Sequence, residues 1–452
     1  MDILNPLEMP PAAPVPESKP APETTLEAVA APDKHIWGIY ILLCIISIIE
    51  LYSASSREVA QSSVGVLGPV LRHILMLGGG CGIIMLLQRI PYNKIMGVSK
   101  LFVLLSVCMM GYVMFFGEVI NGARRSFSLA GIAIQPSEFL KLSAVLVVAR
   151  YTSLYMQKNG GVRPKGVVIS ALAVMVFGGL LVPQGMTNTL LLMAISFSMM
   201  LIGGIELKNI AKVVAVYAIF AMCAYGIMQL SSNSGDKNQN NEQTNRIAEL
   251  IAEGSEGKVN RSSTWGARLD RYFNPIPPYK QPITAKNRQE QYSYMAQANG
   301  GIIGVFPGNS RETARLPLAF SDYIFAIIVE DTGLIGGFVV LLLYLWLLGR
   351  AAAIAMGCKR ALPALLVLGI AVMIAFQAMF HMAIVSGFFP VSGQPLPLIS
   401  KGGTSILITS IAFGIMLSVS RFAVRKGTKQ QISDEMNALP EEMRADNPTM
   451  LQ

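Results

Sequence analysis

Charge is what this chain has least of. Charged residues make up 14% of its 452 residues, hydrophobic residues reach 52% and the mean hydropathy is +0.50, which excludes a soluble globular domain. Cysteine is also sparse, with five in all. Cys44, Cys81, Cys108 and Cys223 stand singly in apolar runs and Cys358 lies beside Lys359 and Arg360. Without metal-site spacing or a paired polar setting they read as small core residues, not as a disulfide framework. The three histidines, His35, His73 and His381, are scattered, which argues against a histidine-rich metal centre. A basic start followed by an apolar core is missing too. Residues 1–33 are rich in Pro, Ala and Glu, so they read as no signal peptide but as part of a disordered tail over 1–35.

What is abundant is apolar sequence in runs of about 20 residues, the length that crosses a bilayer. Ten such runs recur, at 36–54, 68–87, 101–117, 136–156, 167–182, 188–203, 211–230, 322–349, 362–388 and 402–420. They predict an all-α polytopic membrane protein of about ten transmembrane helices, with a membrane domain over 36–421 and a cytoplasmic tail over 422–452. An even number of spans puts both termini on one side. Arg89, Lys94 and Lys100 follow the second run; Arg150, Lys158, Arg163 and Lys165 the fourth; Lys208 and Lys212 the sixth; Arg350, Lys359 and Arg360 the eighth; Arg421, Arg425, Lys426 and Lys429 the tenth. The short alternate loops carry only Arg57, Arg124, Arg125 and Lys401. By the positive-inside rule both termini are cytoplasmic. The net charge of +9 is then a topology signal, and a nucleic-acid partner has no support.

One connection is long. Residues 231–321, between the seventh and eighth runs, form a large extracytoplasmic loop, and loops of that length are functional or disordered. It opens on low-complexity polar sequence. Ile247, Leu250 and Ile251 then have the spacing of a short amphipathic helix, the alternative being a transient helix in a mobile insert. Further on, NRQEQYSYMAQANGG has the composition of an ordered, membrane-hugging segment.

The unusual polar residues fall in three outward-facing clusters. In NGARRSFSLAGIAIQPSEFLKLSAVLVVARY, residues 121–151, Pro136 suits the first turn of a helix and places Glu138 and Lys141 on one face. These two are either substrate contacts or an internal ion pair. Arg124 and Arg125 either anchor the interface or grip a phosphate through bidentate hydrogen bonds. In GGIIGVFPGNSRETARLPLAFSDYIFAIIVEDTGLIGG, residues 300–337, Arg311, Glu312 and Arg315 precede Asp322 at the edge of a span, with Glu330 and Asp331 deeper. A carboxylate at a membrane boundary costs free energy unless it is compensated, which makes Asp322 a functional candidate; the alternative is an interfacial helix cap. Gly333 and Gly337 read as a helix-packing pair. In GFFPVSGQPLPLISKGGTS, residues 387–405, prolines and glycines break the helix at membrane depth, where irregular backbone is tolerated only if buried in protein or facing a wet cavity. Ser400 and Lys401 would look into that cavity.

The patterns NGARR…QPSE..K, GG..G…GNS…LP…SDYIFA…E..G..G and P.SG.PLPLIS.GG.S resemble those of the SEDS (shape, elongation, division and sporulation) family, over about Ile36 to Arg421. YFNP at 272–275 and the Pro-rich tail lean toward its division branch. The resemblance implies a ten-span fold in the cytoplasmic (inner) membrane that polymerises lipid II, an undecaprenyl-diphosphate-linked disaccharide-pentapeptide, into β-1,4 glycan strands. It implies Asp322 as the essential aspartate, facing Lys141, with Arg124, Arg125, Glu138 and Lys141 toward the substrate; Arg315, Ser400 and Lys401 join them as candidate substrate contacts by their place in the clusters above. Implied partners are a class B penicillin-binding protein transpeptidase, other divisome proteins and membrane lipids. The chain departs from the family pattern at Ser126, Gln184, Leu318, Phe320, His381, Lys401 and Thr404.

The chemistry needs few groups. A sugar hydroxyl attacks an anomeric carbon and expels a diphosphate, so one base suffices, unlike the two carboxylates of glycoside hydrolysis. Cationic side chains, or a divalent cation such as Mg2+ or Mn2+, would hold the charge on the leaving group. Rival readings are a lipid II flippase, since broken helices and intramembrane charges also suit a transporter, and a noncatalytic division scaffold.

Overall fold

The computed structural model describes residues 31–54, 67–120, 123–129, 132–157, 161–218, 272–273, 276, 280–284, 287–316 and 319–422. Helix α1 spans Lys34–Ala54, α2 Leu67–Leu87, α3 Tyr92–Phe116, α4 Pro136–Leu154, α5 Pro164–Leu181, α6 Met186–Ile202, α7 Arg288–Gly300, α8 Ile324–Gly357, α9 Ala361–Val385 and α10 Gly403–Phe422. Among the described residues, α1, α2, α3, α5, α8, α9 and α10 are long and apolar enough to cross a membrane. Helix α6 is shorter, and α4 carries Glu138, Lys141 and Arg150 along an otherwise apolar length. The chain is a mostly helical, multi-pass membrane protein. Helices occupy nine of the ten predicted runs, and the seventh is helical over 211–218, beyond which it lies outside the described residues. The amphipathic stretch near 247–251, most of the 1–35 tail and residues 423–452 also lie outside them.

The two central helices are α9 and α4. Helix α9 packs on α8, α4, α6, α7 and α10, and 89% of its spanning window is buried, against 22% for α2 and α3, whose Leu71, Leu75, Leu101 and Leu104 face outward. Prolines fix several starts: Pro136 and Pro164 stand in the first turns of α4 and α5, where a missing N–H costs nothing. Helix α3 begins at once after Pro91, well before the apolar run, because Lys94 and Lys100 occupy its first turns. Helix α8 likewise outruns its apolar stretch and carries Arg350, whose Nε and Nη2 donate to Asp33 Oδ2 at 2.8 and 2.5 Å. Asp33 also accepts from the amides of His35 and Ile36 at the start of α1. Burial raises its pKa, but the Arg350 and amide bonds outweigh that and hold the carboxyl below the usual Asp range.

Between α3 and α4 the chain forms three antiparallel strands, β1 Glu118–Ile120, β2 Ala123–Leu129 and β3 Ile132–Ile134, in sheet order β1-β2-β3. These short strands occupy one connection, between α3 and α4, of a chain that is otherwise mostly helical, as the sequence predicts. The sequence signal was the Asn-Gly dipeptide at 121–122, a frequent hairpin pair, followed by polar and apolar residues in alternation.

Helix α8 is interrupted at Gly333, with φ 72° and ψ −175°. The loop after α7 fills the break with its own backbone. Val305 and Phe306 donate to the carbonyls of Glu330 and Asp331 at 2.9 and 2.8 Å, and Leu334 donates back to Gly301 at 3.0 Å. Helix α7, the ordered segment expected from NRQEQYSYMAQANGG, packs along α8 and delivers that loop.

Candidate functional site

The β3–α4 turn, the segment leading into α8, the broken segment 386–402 and the start of α2 meet at one end of the bundle. There they enclose a cavity of about 360 Å³. Its walls are Arg72, His73 and Met76 from α2, Ala133 from β3, Gln135 from the β3–α4 turn, Phe320, Ser321 and Asp322 before α8, and Gly393, Pro395 and 401–406 from the segment running into α10. Volumes of this order take a small ligand or one end of a larger one.

Asp322 is the carboxylate among the described residues that line this cavity. It stands one residue before Tyr323, the N-cap of α8, whose own side chain makes no capping hydrogen bond. The hydroxyl of Ser321 donates to Asp322 Oδ1 at 3.1 Å. Across the cavity the backbone of Gly393 comes so close that a methyl group there would stand 2.7 Å from Asp322 Oδ2.

The broken segment is held against Asp322 by backbone bonds. Ser400 Oγ donates to the carbonyl of Ser321 at 2.7 Å and accepts from the Leu396 amide at 2.7 Å, and the Lys401 amide donates to the carbonyl of Phe320 at 2.9 Å. Ser400 is 1% exposed, so its hydroxyl ties the wall together instead of pointing into the cavity. The Lys401 side chain does line the cavity, and its ammonium lies 4.8 Å from the centre of the Phe320 ring, a cation–π contact. These are two of the positions at which the chain departs from the SEDS pattern, and they touch. On the opposite wall Thr404 Oγ1 accepts from the Gln135 amide at 3.3 Å and donates to the carbonyl of Ala133 at 2.5 Å, which joins α10 to the turn before α4.

Several residues expected at the site are placed elsewhere. Lys141 does not face Asp322: its ammonium is 2.7 Å from Glu138 Oε1, both residues are buried, and neither lines the cavity. Glu138 Oε2 in turn accepts from Gln377 on α9 at 3.2 Å. This is the internal ion pair, spaced three residues apart on α4, and the partner it finds is the nearest one in the helix. Arg124 and Arg125 part company, as neighbouring strand residues do. Arg124 donates to the terminal carbonyls of α3, at Met114 and Phe115, where the helix dipole favours a cation. Arg125 Nε donates to the carbonyl of Gln184 after α5 at 3.1 Å. Arg315 is largely exposed, 3.5 Å from Glu312, and stands apart from the cavity. Glu330, fully buried, accepts from Asn299, Ser310 and the Arg311 amide, so it orders the loop after α7.

The cavity's other cation and its histidine, Arg72 and His73, were not among the expected site residues. Both sit where the second apolar run begins, and nothing local marks them; only the packing of α2 against α10 brings them beside Asp322. No group of three or more His, Cys, Asp and Glu gathers among the described residues in a way that holds a metal ion.

The sequence profile of the cell cycle proteins FtsW, RodA and SpoVE matches residues 33–425. A probable peptidoglycan glycosyltransferase FtsW of Bacillus subtilis is 27% identical over 86% of this chain and 91% of its own length. Stage V sporulation protein E of the same organism is 29% identical over 87% of this chain and 98% of its own. Among solved structures, one described as coordinating polymerization and crosslinking in a peptidoglycan synthase complex superposes with a TM-score of 0.61 at 23% identity, covering 88% of this chain and 99% of that one. The rod shape determining protein RodA of Thermus thermophilus superposes with a TM-score of 0.58 at 20% identity, covering 88% and 99%.

Proposed function

This chain belongs to the FtsW/RodA/SpoVE family of cell cycle proteins, and from that premise we propose that it is a peptidoglycan glycosyltransferase that polymerises lipid II into β-1,4 glycan strands. Its relatives' names as peptidoglycan glycosyltransferases FtsW support the activity and a septal role in cell division. The observation that carries the chemistry is Asp322 in one cavity with Arg72 and Lys401.

In this reading Asp322 takes the proton from the 4-hydroxyl of one lipid-linked sugar. The freed oxygen bonds to the anomeric carbon of the other as the bond from that carbon to the diphosphate breaks. The bonding pair leaves with the lipid diphosphate, and Arg72 and Lys401 hold its negative charge. Arg124, Arg125, Glu138 and Lys141 then act behind the cavity, shaping its walls, and Arg315 meets substrate only outside it. A divalent cation would find in Asp322 a single protein carboxylate and would take its other ligands from the diphosphate and water, as Mg2+ often does. No proton transfer here needs it.

The same reading places the chain in the cytoplasmic membrane with both termini inside and the cavity outside. It pairs the chain with a class B penicillin-binding protein that crosslinks the new strand, in the company of other divisome proteins. The test is polymerisation of purified lipid II by the full-length protein in nanodiscs. Asp322→Asn is expected to lower the rate at least about 10²-fold, within the range that general base catalysis supplies. Undiminished polymer from that variant removes Asp322 from the reaction. Leaflet-to-leaflet movement of labelled lipid II without polymer, from the unaltered chain, makes it a flippase instead.

A further inference from the structure

The cavity holds one more group with chemistry to offer. His73 is 3% exposed, lines the cavity, and has its Nε2 2.7 Å from Ser47 Oγ on α1. Ser47 Oγ lies 3.0 Å from the carbonyl of Ile399. That carbonyl only accepts, and in the proton arrangement that satisfies it the single hydroxyl proton of Ser47 goes to it. The Ser47 oxygen is left as acceptor, and His73 Nε2 must carry the hydrogen that reaches it. The tautomer is set by this relay: Nε2 is the donor and Nδ1 carries the lone pair. Ile399 follows Leu398, a non-glycine residue at φ 66°, and precedes Ser400 and Lys401, so the relay ends on the strained turn that forms the Asp322 wall.

From this geometry we infer that His73 is a substrate-contacting residue, with Nδ1 accepting a hydrogen bond from a hydroxyl or amide N–H of the sugar that enters the Asp322 cavity. The inference rests on the polymerase reading and adds a specificity contact to it. The charged and titratable groups around the ring are Arg72 beside it in sequence and Asp322 and Lys401 across the cavity. Arg72 and Lys401 bind anions, and Asp322 takes a proton. A neutral acceptor suited to the uncharged donors of an amino sugar is what they lack and what the fixed tautomer supplies.

Asparagine and glutamine separate the two nitrogens, since an Asn side chain reaches the position of Nδ1 and a Gln side chain that of Nε2. Equilibrium binding of fluorescent lipid II to the full-length protein in nanodiscs is measured alongside polymerisation, with thermal unfolding of each variant as control. His73→Ala and His73→Gln are expected to weaken binding about tenfold, the value of one hydrogen bond, and His73→Asn to recover most of that loss. Ser47→Ala keeps the imidazole but frees its tautomer, and is expected to weaken binding in the same direction. Recovery by Gln and not by Asn would show that His73 only props the wall, and unchanged binding in Ser47→Ala and His73→Gln would overturn the contact as well. If the unaltered chain binds lipid II but makes no polymer, the polymerase reading fails while the binding series still decides His73.

Discussion

The backbone of Gly393 determines where the Asp322 carboxylate can lie. A methyl group at that position would stand 2.7 Å from Oδ2, inside van der Waals contact, and the carboxylate is the more easily displaced of the two. Gly393→Ala is therefore expected to leave the chain folded and to cut kcat for lipid II about tenfold to a hundredfold, as misplacing a catalytic group by roughly an ångström does. Polymerisation assays with folding checked by gel filtration would show it, and an unchanged kcat would mean that the carboxylate works from another position. The residues differ in how far the sequence reveals them. Asp322 is legible because an acid at the rim of an apolar run is costly and stands inside a motif. The Glu138–Lys141 pair is legible as two alternatives, and the structure chooses the local one. Arg72 and His73 are not legible, because their meaning depends on a cavity shared with Asp322 and Lys401, more than 200 positions away, and Arg-His near the start of an apolar run reads like any helix end.

Among the elements, the interrupted helix α8 holds the loop that precedes Asp322. Hydropathy reads 322–349 as one span and gives Gly333 a packing role, yet the chain leaves helical geometry there and accepts the 300–306 loop into the break. A side chain at Gly333 would have to hold φ 72° and would place its first carbon 2.2 Å from the carbonyl oxygen of Ile302. Gly333→Ala is expected to destabilise the fold by at least about 2 kcal/mol, the cost of a forced left-handed residue with a backbone clash added. The unfolding midpoint in detergent is the measurement, and a midpoint equal to that of the unaltered chain would mean that the loop does not seat in the break. Loop ordering matters for the site because Asp322 hangs between this loop and the start of α8. The sheet between α3 and α4 escaped the helical reading for a related reason: its strands run three to seven residues, too short for periodicity to separate them from a loop.

At the scale of the whole molecule, the two ends of the bundle differ in kind. One end has the cavity, the sheet, α7 and the broken segment before α10. The other is tied by short bonds of ordinary structural character: Asp33 to Arg350, Trp37 to Gln88, Ser418 to the carbonyl of Ile90. Arg89, Arg150, Lys208, Lys359 and Arg360 gather at that second end. In the orientation proposed above, the positive-inside rule assigns this end to the cytoplasm and Asp322 to the outer face, where a glycan strand grows. The assignment is testable without any activity. In a chain whose five native cysteines are replaced, single cysteines are introduced at Arg315, an exposed position at the cavity end, and at Lys359, an exposed position at the other end. A membrane-impermeant maleimide added to spheroplasts is expected to label Arg315→Cys at once and Lys359→Cys only after the membrane is opened. The reverse pattern would turn the cavity toward the cytoplasm, where lipid-linked precursors are made and no wall grows, and a polymerase reading would not survive it.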